Sequence, residues 1–316
     1  MLIVIPGDDP PQLQGSPHLD RLKQHAEVVV YSDRPATAEE KVRRVRDADC
    51  MINSRSAVKW PGDILAQLPR LKMISVCGIG TDAIDPGMAK ERGILVCNIP
   101  GCTAPIVAEH TLGLMLAVAR RMAYHTLELK QHRWHRLQSV ALAGRMLGLV
   151  GAGSIAIETA RLARAIGMRV QAWTFNPDPE RSNAMGCPFV SLDELLQTSD
   201  VVSLHVKLTE RSRHLIGARE LGLMKKGALL INTARGAIVD VHALRAALES
   251  GHVGGAGIDV YEVEPMLPDY PLLDCDQVVL TPHNADDTPE GNDLLNQGAV
   301  DNVLAYLAGR PRNVVG

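Results

Sequence analysis

One stretch decides the fold of this chain: Met146-Leu147-Gly148-Leu149-Val150-Gly151-Ala152-Gly153-Ser154-Ile155-Ala156. Its first five residues are typical of a buried strand, and apolar residues continue at helical spacing as far as Ile166. Between strand and helix lies the pattern G-x-G-x-x-A. In this setting the pattern predicts a dinucleotide site, whereas alone it indicates only a glycine-rich turn.

Each small residue of the pattern has a physical role. Gly151 permits the tight turn, Gly153 lacks a Cβ and lets a pyrophosphate approach the backbone, and Ala156 lets the helix pack closely on the strand. The helix N-terminus at Ser154 and Ile155 presents free N–H groups and the positive end of the helix dipole. We therefore expect these residues to bind the cofactor phosphates.

Composition narrows the class of protein. The 316 residues are enough for two domains, and the net charge of −3 gives no reason to expect nucleic acid or an anionic membrane as partner. No apolar run approaches the roughly 20 residues of a membrane helix, and the N-terminus lacks the basic region of a signal peptide. Six cysteines without a C-x-x-C pair suit a reducing compartment. We expect a cytoplasmic protein without a metal site.

Strands and helices alternate along the chain, which predicts two doubly wound parallel sheets. The predicted strands lie at 2–5, 28–31, 50–53, 73–76, 94–96, 146–150, 170–173, 201–205, 228–232 and 257–260. Helices are predicted at 38–46, 61–68, 104–122 and 288–308, the last with Thr288 as N-cap and Pro289 in its first turn. Ser191 and Glu194 form a predicted capping box.

The nucleotide pattern lies in the middle of the chain, which predicts an inserted domain. We expect a Rossmann domain at 99–284 within a flavodoxin-like substrate domain made of 1–98 and 285–316. The two crossings between them, near 98–101 and 283–287, would form a hinge.

Charged and titratable residues follow three of the later strands. They are Arg235, the pair Glu262 and Glu264, and His283. A guanidinium holds carboxylates with a planar fork, and an imidazole exchanges a proton near neutral pH, more so beside a carboxylate. Each residue alone is equally typical of a salt bridge, a loop charge or a core histidine. Together, at the ligand-binding ends of the strands, they predict carbonyl chemistry.

At this point the sequence resembles the D-2-hydroxyacid dehydrogenase family, which includes phosphoglycerate, D-lactate and glyoxylate/hydroxypyruvate enzymes. Besides the glycine pattern, the resemblance is carried by Gly78-Ile79-Gly80-Thr81-Asp82-Ala83-Ile84-Asp85, Gly93-Ile94-Leu95-Val96-Cys97-Asn98-Ile99-Pro100-Gly101, Val107-Ala108-Glu109-His110, Asn232-Thr233-Ala234-Arg235-Gly236, Asp259-Val260-Tyr261-Glu262-Val263-Glu264-Pro265 and Thr281-Pro282-His283. These motifs cover nearly the whole chain, in family order and spacing.

The resemblance implies roles for the matching positions. Arg235 would bind the substrate's carboxylate and C2 oxygen, and His283 would be the acid/base, with Glu264 as its partner and Glu262 as the less favoured alternative. In the reductive direction NAD(P)H gives a hydride to C2 of a 2-oxo acid and His283 gives a proton to the oxygen. The remaining implied contacts are the N–H groups of Gly78 and Ile79 to the substrate carboxylate, Thr103, Ala234 and Asp259 near the nicotinamide, and His205 and Thr209 near the adenosine.

Several positions depart from the family pattern. Thr174 replaces the acid that holds the ribose in NAD enzymes, which leaves NADP possible beside a modest preference for NAD. Lys207 replaces a proline that is usual in the family. Its side chain either contacts a 2′-phosphate or is simply solvated. Asn284-Ala285-Asp286-Asp287 is unusual after the histidine and leaves the substrate open. Arg55, in Arg55-Ser56-Ala57-Val58-Lys59, resembles a substrate-binding arginine of phosphoglycerate enzymes or forms a structural salt bridge.

Two other functions compete with the dehydrogenase. A nucleotide-sensing protein resembling the corepressors of this superfamily can keep the same residues, although those proteins usually carry extended tails. Oxidation of formate or phosphite is less favoured, because it needs different anion-binding residues. We expect a homodimer with helix 104–122 at the interface, or else that helix buried within its domain. With no regulatory domain after residue 316, we do not expect the allosteric kind of serine-pathway enzyme.

Overall fold

The chain folds into two compact α/β units. The computed structural model describes residues 1–56 and 58–315, so residue 57 of the predicted 55–59 segment and residue 316 lie outside the description. One unit comprises Met1–Thr103 and Asp287–Gly316, and the other comprises Ala104–Asp286. The predicted domain bounds, at 98 and 284, lie a few residues before these.

The first unit is built on a five-stranded parallel sheet of order β2-β1-β3-β4-β5. Its strands are β1 (Leu2–Ile5), β2 (Glu27–Val30), β3 (Cys50–Ser54), β4 (Met73–Cys77) and β5 (Leu95–Cys97). Its helices are α1 (Pro17–Lys23), α2 (Ala38–Val45), α3 (Gly62–Leu65), α4 (Pro86–Glu91) and, near the end of the chain, α12 (Pro289–Leu307). This strand order is that of the flavodoxin-like fold, as predicted.

The last helix returns to the first unit and completes its core. Thr288 caps α12 by accepting the N–H of Gly291 at 3.0 Å, and Pro289 is its first residue, as predicted. The amide of Asn296, on the buried face of α12, exchanges two hydrogen bonds of 3.0 Å with Gln12. These bonds tie the last helix to the loop after the first strand.

The second unit contains a six-stranded parallel sheet of order β11-β10-β9-β8-β6-β7. Its strands are β6 (Met146–Val150), β7 (Arg169–Trp173), β8 (Val201–Leu204), β9 (Ala228–Asn232), β10 (Val253–Ile258) and β11 (Val278–Leu280). Its helices are α5 (Ala104–Ala119), α6 (Met122–Lys130), α7 (Ser154–Ala165), α8 (Pro179–Met185), α9 (Leu192–Thr198), α10 (Ala218–Leu223) and α11 (Val241–Glu249). Ser191 caps α9 by accepting the N–H of Glu194 at 3.1 Å.

A single parallel bridge completes the expected topology of this sheet. Phe189 pairs with Ala172 beside β7, where a third strand stands in dinucleotide-binding folds. With this bridge counted as a strand, the order becomes 3-2-1-4-5-6-7, which contains the 3-2-1-4-5-6 order of dinucleotide-binding folds. The order reverses between β6 and β8, and ligands bind at such a reversal, at the carboxyl ends of the strands.

The predicted end of the helix at 104–122 is wrong, because the observed helix stops at Ala119. Arg121 adopts a left-handed backbone with φ of 51°, and a separate helix starts at Met122. Leu114, Met115 and Val118 of α5 are buried in the core of the second unit. These side chains therefore lie within their own domain, which was the alternative to a dimer interface on this helix.

Strand β10 begins at Val253, four residues before the predicted start. Its glycines hid it, because glycine is depleted in strands. A Cβ at Gly255 would lie 2.8 Å from Val118 Cγ1, and one at Gly257 would lie 3.1 Å from Leu114 Cβ. Helix α5 thus packs directly on the backbone of β10, and larger residues do not fit there. No helix among residues 1–56 and 58–315 has the length and apolar character to span a membrane.

Gly148→Ala is expected to destabilise the second unit by about 1–3 kcal/mol, the usual cost of overpacking. A Cβ there would lie 2.2 Å from Ser199 Oγ and 2.6 Å from Leu195 Cδ2. Denaturant unfolding measures the change. Gly222→Ala is the control, because its Cβ meets nothing within 4 Å on an exposed helix position, where alanine stabilises by up to ~1 kcal/mol. Equal unfolding midpoints for the two variants would contradict the close packing at Gly148.

Candidate active site

The loop between β6 and α7 has the geometry of a phosphate-binding turn. Gly151 has φ of 124°, and a Cβ there would lie 2.5 Å from the carbonyl oxygen of His205. Only glycine fits this position, because both the backbone conformation and the neighbouring strand exclude a side chain. Ala156 is completely buried, so α7 packs closely against the sheet as predicted from its small side chain.

The start of α7 is open to a ligand. Gly153 is the N-cap residue and supplies no side-chain hydrogen bond, and a Cβ there would meet nothing within 4 Å. Gly153 and Ser154 are exposed. The N–H groups of Ser154 and Ile155 have no hydrogen-bond partner in the part of the chain that the structure describes. Free N–H groups at an uncapped, exposed helix start fit a pyrophosphate.

The neighbouring strand ends frame this loop. Thr174 directly follows β7, next to the glycine loop, and the segment 174–177 contains no carboxylate. His205 follows β8, and its Nε2 lies 2.9 Å from Ser203 Oγ. Burial lowers the pKa of His205 to about 4, so this imidazole is neutral at pH 7 and adds no charge at the phosphates. Thr209 and Lys207 are exposed in the turn that follows.

At the other end of the sheet a histidine and a glutamate form a close pair. His283 Nδ1 lies 2.7 Å from Glu264 Oε2, and Glu264 Oε1 accepts the N–H of Tyr261 at 3.0 Å. Glu262 points to another partner, because its Oε1 lies 3.0 Å from Arg213 Nη1. The structure therefore brings Glu264, and not Glu262, to the histidine.

The pair shifts both pKa values toward the charged forms. Burial by itself would lower the pKa of His283, but the hydrogen bond and negative charge of Glu264 outweigh it and raise the pKa above its ordinary value. Burial likewise opposes the charge of Glu264, yet the bond to His283 lowers the pKa of that carboxyl. An imidazolium beside a carboxylate is thereby favoured near neutral pH.

Arg235 lies on the same side of the sheet as His283 and Glu264, because the backbone of its neighbour Gly236 touches that of Tyr261. A Cβ on Gly236 would lie 2.1 Å from the carbonyl carbon of Tyr261, so the segment after β9 touches the segment after β10 directly. Asn232 fixes the turn: its Oδ1 accepts the N–H of Ala234 at 3.0 Å, and its Nδ2 donates to the carbonyl of Arg235 at 2.9 Å. The charge of Arg235 contributes to the pKa of both His283 and Glu264.

Asp259 holds the turn that carries the histidine. It is fully buried, and it accepts hydrogen bonds from Thr281 Oγ1 at 2.6 Å, Asn284 N at 3.1 Å and Ala285 N at 3.3 Å. His110 Nε2 lies 3.4 Å from the same carboxylate. These bonds hold the side chain of Thr281 before His283 and the backbone directly after it, and His283 itself has φ of 51°. A contact of Asp259 with the nicotinamide stays a prediction.

No role for His110 or Thr281 was predicted from the sequence. Both belong to quoted motifs, but nothing in their spacing links residue 110 to residue 281. The structure joins them, with His110 Nε2 at 3.2 Å from Thr281 Oγ1.

Four predicted site residues belong to the first unit: Arg55, Gly78, Ile79 and Thr103. Gly78 and Ile79 follow β4, and their carbonyls accept hydrogen bonds from Ile99 N at 2.9 Å and Asn98 Nδ2 at 2.7 Å. Their N–H groups have no partner among the described residues, so both are available to an anion. The hydroxyl of Thr103 is buried and likewise has no protein partner within residues 1–56 and 58–315.

Arg55 forms a salt bridge within the protein, which was the alternative to a substrate-binding role. Its Nη2 lies 2.9 Å from Asp287 Oδ1 and 2.5 Å from Asn292 Oδ1, all within the first unit. A substrate role for Arg55 stays a prediction. Within the described residues, no group of three or more His, Cys, Asp or Glu is arranged to hold a metal ion.

Comparison with known proteins agrees with this geometry. Residues 112–285 match the family model "D-isomer specific 2-hydroxyacid dehydrogenase, NAD binding domain". The chain is 37% identical to a glyoxylate reductase of Aeropyrum pernix over 308 residues, which cover 94% of this chain and 92% of that protein. It is 40% identical to a hydroxypyruvate reductase of Thermotoga maritima over 274 residues, covering 85% and 88% of the two chains.

Solved structures are similar over the whole chain. D-lactate dehydrogenase from Aquifex aeolicus, complexed with NAD and lactic acid, has a TM-score of 0.85 and 29% identity, covering 98% of this chain and 96% of its own. An acyclic imino acid reductase in complex with NADPH and D-Arg has a TM-score of 0.90 and 27% identity, covering 100% of both chains. The chain therefore belongs to the D-isomer-specific 2-hydroxyacid dehydrogenase family and is a nicotinamide-dependent oxidoreductase.

Proposed function

We propose that this enzyme interconverts a small 2-oxo acid and its 2-hydroxy acid, with His283 as acid/base, Glu264 as its partner and Arg235 as the substrate clamp. The observation that carries the proposal is the 2.7 Å pair of His283 and Glu264 beside Arg235, at the carboxyl edge of the second unit's sheet. The names of the glyoxylate and hydroxypyruvate reductases support the choice of a small acid.

The geometry gives His283 a defined proton to transfer. Glu264 binds Nδ1, so Nε2 is the nitrogen left for the substrate. A proton on Nε2 would pass to the C2 oxygen during reduction and return during oxidation. The cofactor, when bound, supplies or accepts the hydride at C2. Arg235 would hold the substrate carboxylate and polarise the C2 oxygen through its planar fork.

The other site residues are proposed as binding contacts. The N–H groups of Gly78 and Ile79 would hold the substrate carboxylate, and Asp259 would position His283. Arg55 is kept only as a contact to the distal end of the substrate. The proposed cofactor contacts are Gly151, Gly153, Ser154, Ile155, Thr174, His205, Thr209, Thr103 and Ala234.

A homodimer is proposed with a different surface from the one first expected. Since the core side chains of α5 are buried, the exposed apolar side chains beyond it are the better candidates. They lie in α6 and the segment after it: Met122, Leu127, Leu129, Trp134, Leu137 and Val140. Trp134 is 80% exposed, and large aromatic residues are enriched at interfaces.

The reaction is tested with a panel of 2-oxo acids against NADH and NADPH, followed by nicotinamide absorbance. His283→Ala is expected to lower kcat/KM on the best acid by about 10²–10⁴-fold, as for loss of a positioned acid/base.

Arg235→Ala is expected to lose most activity while dinucleotide binding is nearly unchanged, because Arg235 lies outside the glycine loop. Dinucleotide binding without reduction of any acid would instead support the nucleotide-sensing alternative. Wild-type kcat/KM in Arg235→Ala would remove Arg235 from its role.

Glu264→Gln is expected to move the pH profile of reduction to lower pH. Reduction needs protonated His283, so kcat/KM falls as pH rises through the pKa of this imidazole, and Glu264 holds that pKa above its ordinary value. Without the carboxylate the fall occurs earlier. Glu262→Gln is the matched control and should leave the profile unchanged, because Glu262 pairs with Arg213. A shift in the control alone would transfer the role to Glu262.

Trp134→Glu is expected to yield monomers at concentrations where the wild type is dimeric, because a buried carboxylate is costly at an apolar interface. Light scattering after size exclusion measures the mass. Leu273→Glu is the control, since Leu273 is also exposed in the second unit but lies outside residues 122–140. A dimer that survives Trp134→Glu would exclude this surface.

A further inference from the structure

An aromatic and cationic stack stands at the end of β7. Trp173 and Phe175 meet edge to face, with ring centroids 4.7 Å apart. The guanidinium of Arg211 lies over the ring of Phe175, with its Cζ 4.6 Å from the ring centroid. A guanidinium over an aromatic ring is attracted by the negative face of the ring. The stack therefore fixes the charge of Arg211 beside Thr174.

The stack lies across the phosphate-binding loop. Phe175 follows β7 and Arg211 follows β8, while β6 runs between these two strands. Their contact therefore spans the carboxyl end of β6, where the glycine loop begins. In dinucleotide folds the residues after the second strand face the ribose of the adenosine. The charge of Arg211 is thus held beside the residues that face the ribose in such folds.

The turn that carries Arg211 is itself well anchored. Ser212 is fully buried, and its hydroxyl accepts the N–H of Thr209 at 2.8 Å and donates to the carbonyl of Lys207 at 2.6 Å. Arg211 and Lys207 are both exposed on this turn. The backbone of the turn is therefore fixed, while its two positive side chains are exposed to solvent.

Arg211 differs from its neighbours in having no carboxylate partner within the described residues. Arg213, in the same loop, pairs with Glu262 at 3.0 Å, and Arg181 pairs with Asp178 at 3.1 Å. Thr174 supplies no carboxylate that would bind the ribose hydroxyls or repel a phosphate. An uncompensated, planar guanidinium suits a phosphate, which it binds with two parallel hydrogen bonds.

We propose that Arg211, held on Phe175, binds the 2′-phosphate of NADP(H), so that this enzyme prefers the phosphorylated dinucleotide over NAD(H). The proposal names the cofactor form for the proposed reaction and rests on dinucleotide binding at the glycine loop. It replaces the modest preference for NAD that Thr174 alone left open, because the missing acid is now matched by a cation in place.

The test measures binding of two adenosine fragments by calorimetry at low ionic strength. Adenosine 2′,5′-bisphosphate carries the extra phosphate and adenosine 5′-monophosphate lacks it, and neither contains the nicotinamide. The wild type is expected to bind the bisphosphate about tenfold or more tightly, as for a charge-assisted bidentate contact. This readout is independent of hydride transfer.

Three variants locate the preference. Arg211→Gln is expected to bring the two affinities within about twofold of each other while its binding of the monophosphate shows that it is folded. Arg213→Gln is the matched control, with the same charge change in the same loop, and should keep the wild-type ratio. Phe175→Leu should lose part of the preference, because Arg211 loses the ring that holds it.

Each outcome decides the proposal. Equal affinities in the wild type, or a preference that survives in Arg211→Gln, overturn it. An equal loss in Arg213→Gln also overturns it, because the effect would then be general to the loop's charge. If the fragment preference holds but no 2-oxo acid is reduced, the proposed reaction fails and the phosphate site stands. If acids are reduced equally with both cofactors and the fragments bind alike, only the phosphate site fails.

Discussion

The contact of Gly236 with the backbone of Tyr261 is the constraint on which the candidate site depends. A side chain at residue 236 would occupy the space of the next segment's peptide, at 2.1 Å. Because the two segments meet without side chains between them, Arg235 and Glu264 are held at one edge of the sheet. The parallel order of the strands supplies that edge, since the ends of β9, β10 and β11 all point the same way.

Electrostatics at this edge follows from that placement. Arg235, His283 and Glu264 form a group in which each positive charge has a specific effect on the carboxylate. The close carboxylate raises the pKa of His283 in spite of burial, while the guanidinium opposes the rise. Asp259 adds its negative charge to the rise in the pKa of His283, while its oxygens accept hydrogen bonds from Thr281 and from the backbone of Asn284 and Ala285. The buried carboxylate of Asp259 thus fixes the turn, and the more exposed carboxylate of Glu264 has the larger effect on the pKa of His283.

The two ends of the same sheet divide the chemical work. At β6 to β8 the protein presents backbone N–H groups, open space above Gly153 and an arginine fixed on an aromatic ring. These features suit a phosphate ligand. At β9 to β11 it presents titratable side chains. His205 follows β8 in the first region, and burial keeps its imidazole neutral at pH 7.

The sequence by itself determined the glycine loop, the strand alternation and the residues at the strand ends, because these depend on local spacing and on the common direction of parallel strands. Tertiary structure decided what depends on contacts between distant segments. Glu262 and Glu264 are two residues apart in one loop, and the structure separates them by pairing Glu264 with His283 and Glu262 with Arg213. The early start of β10 rests on the packing of α5 over its glycines. The position of Arg211 rests on a ring 36 residues earlier in the chain, a contact that no periodicity records.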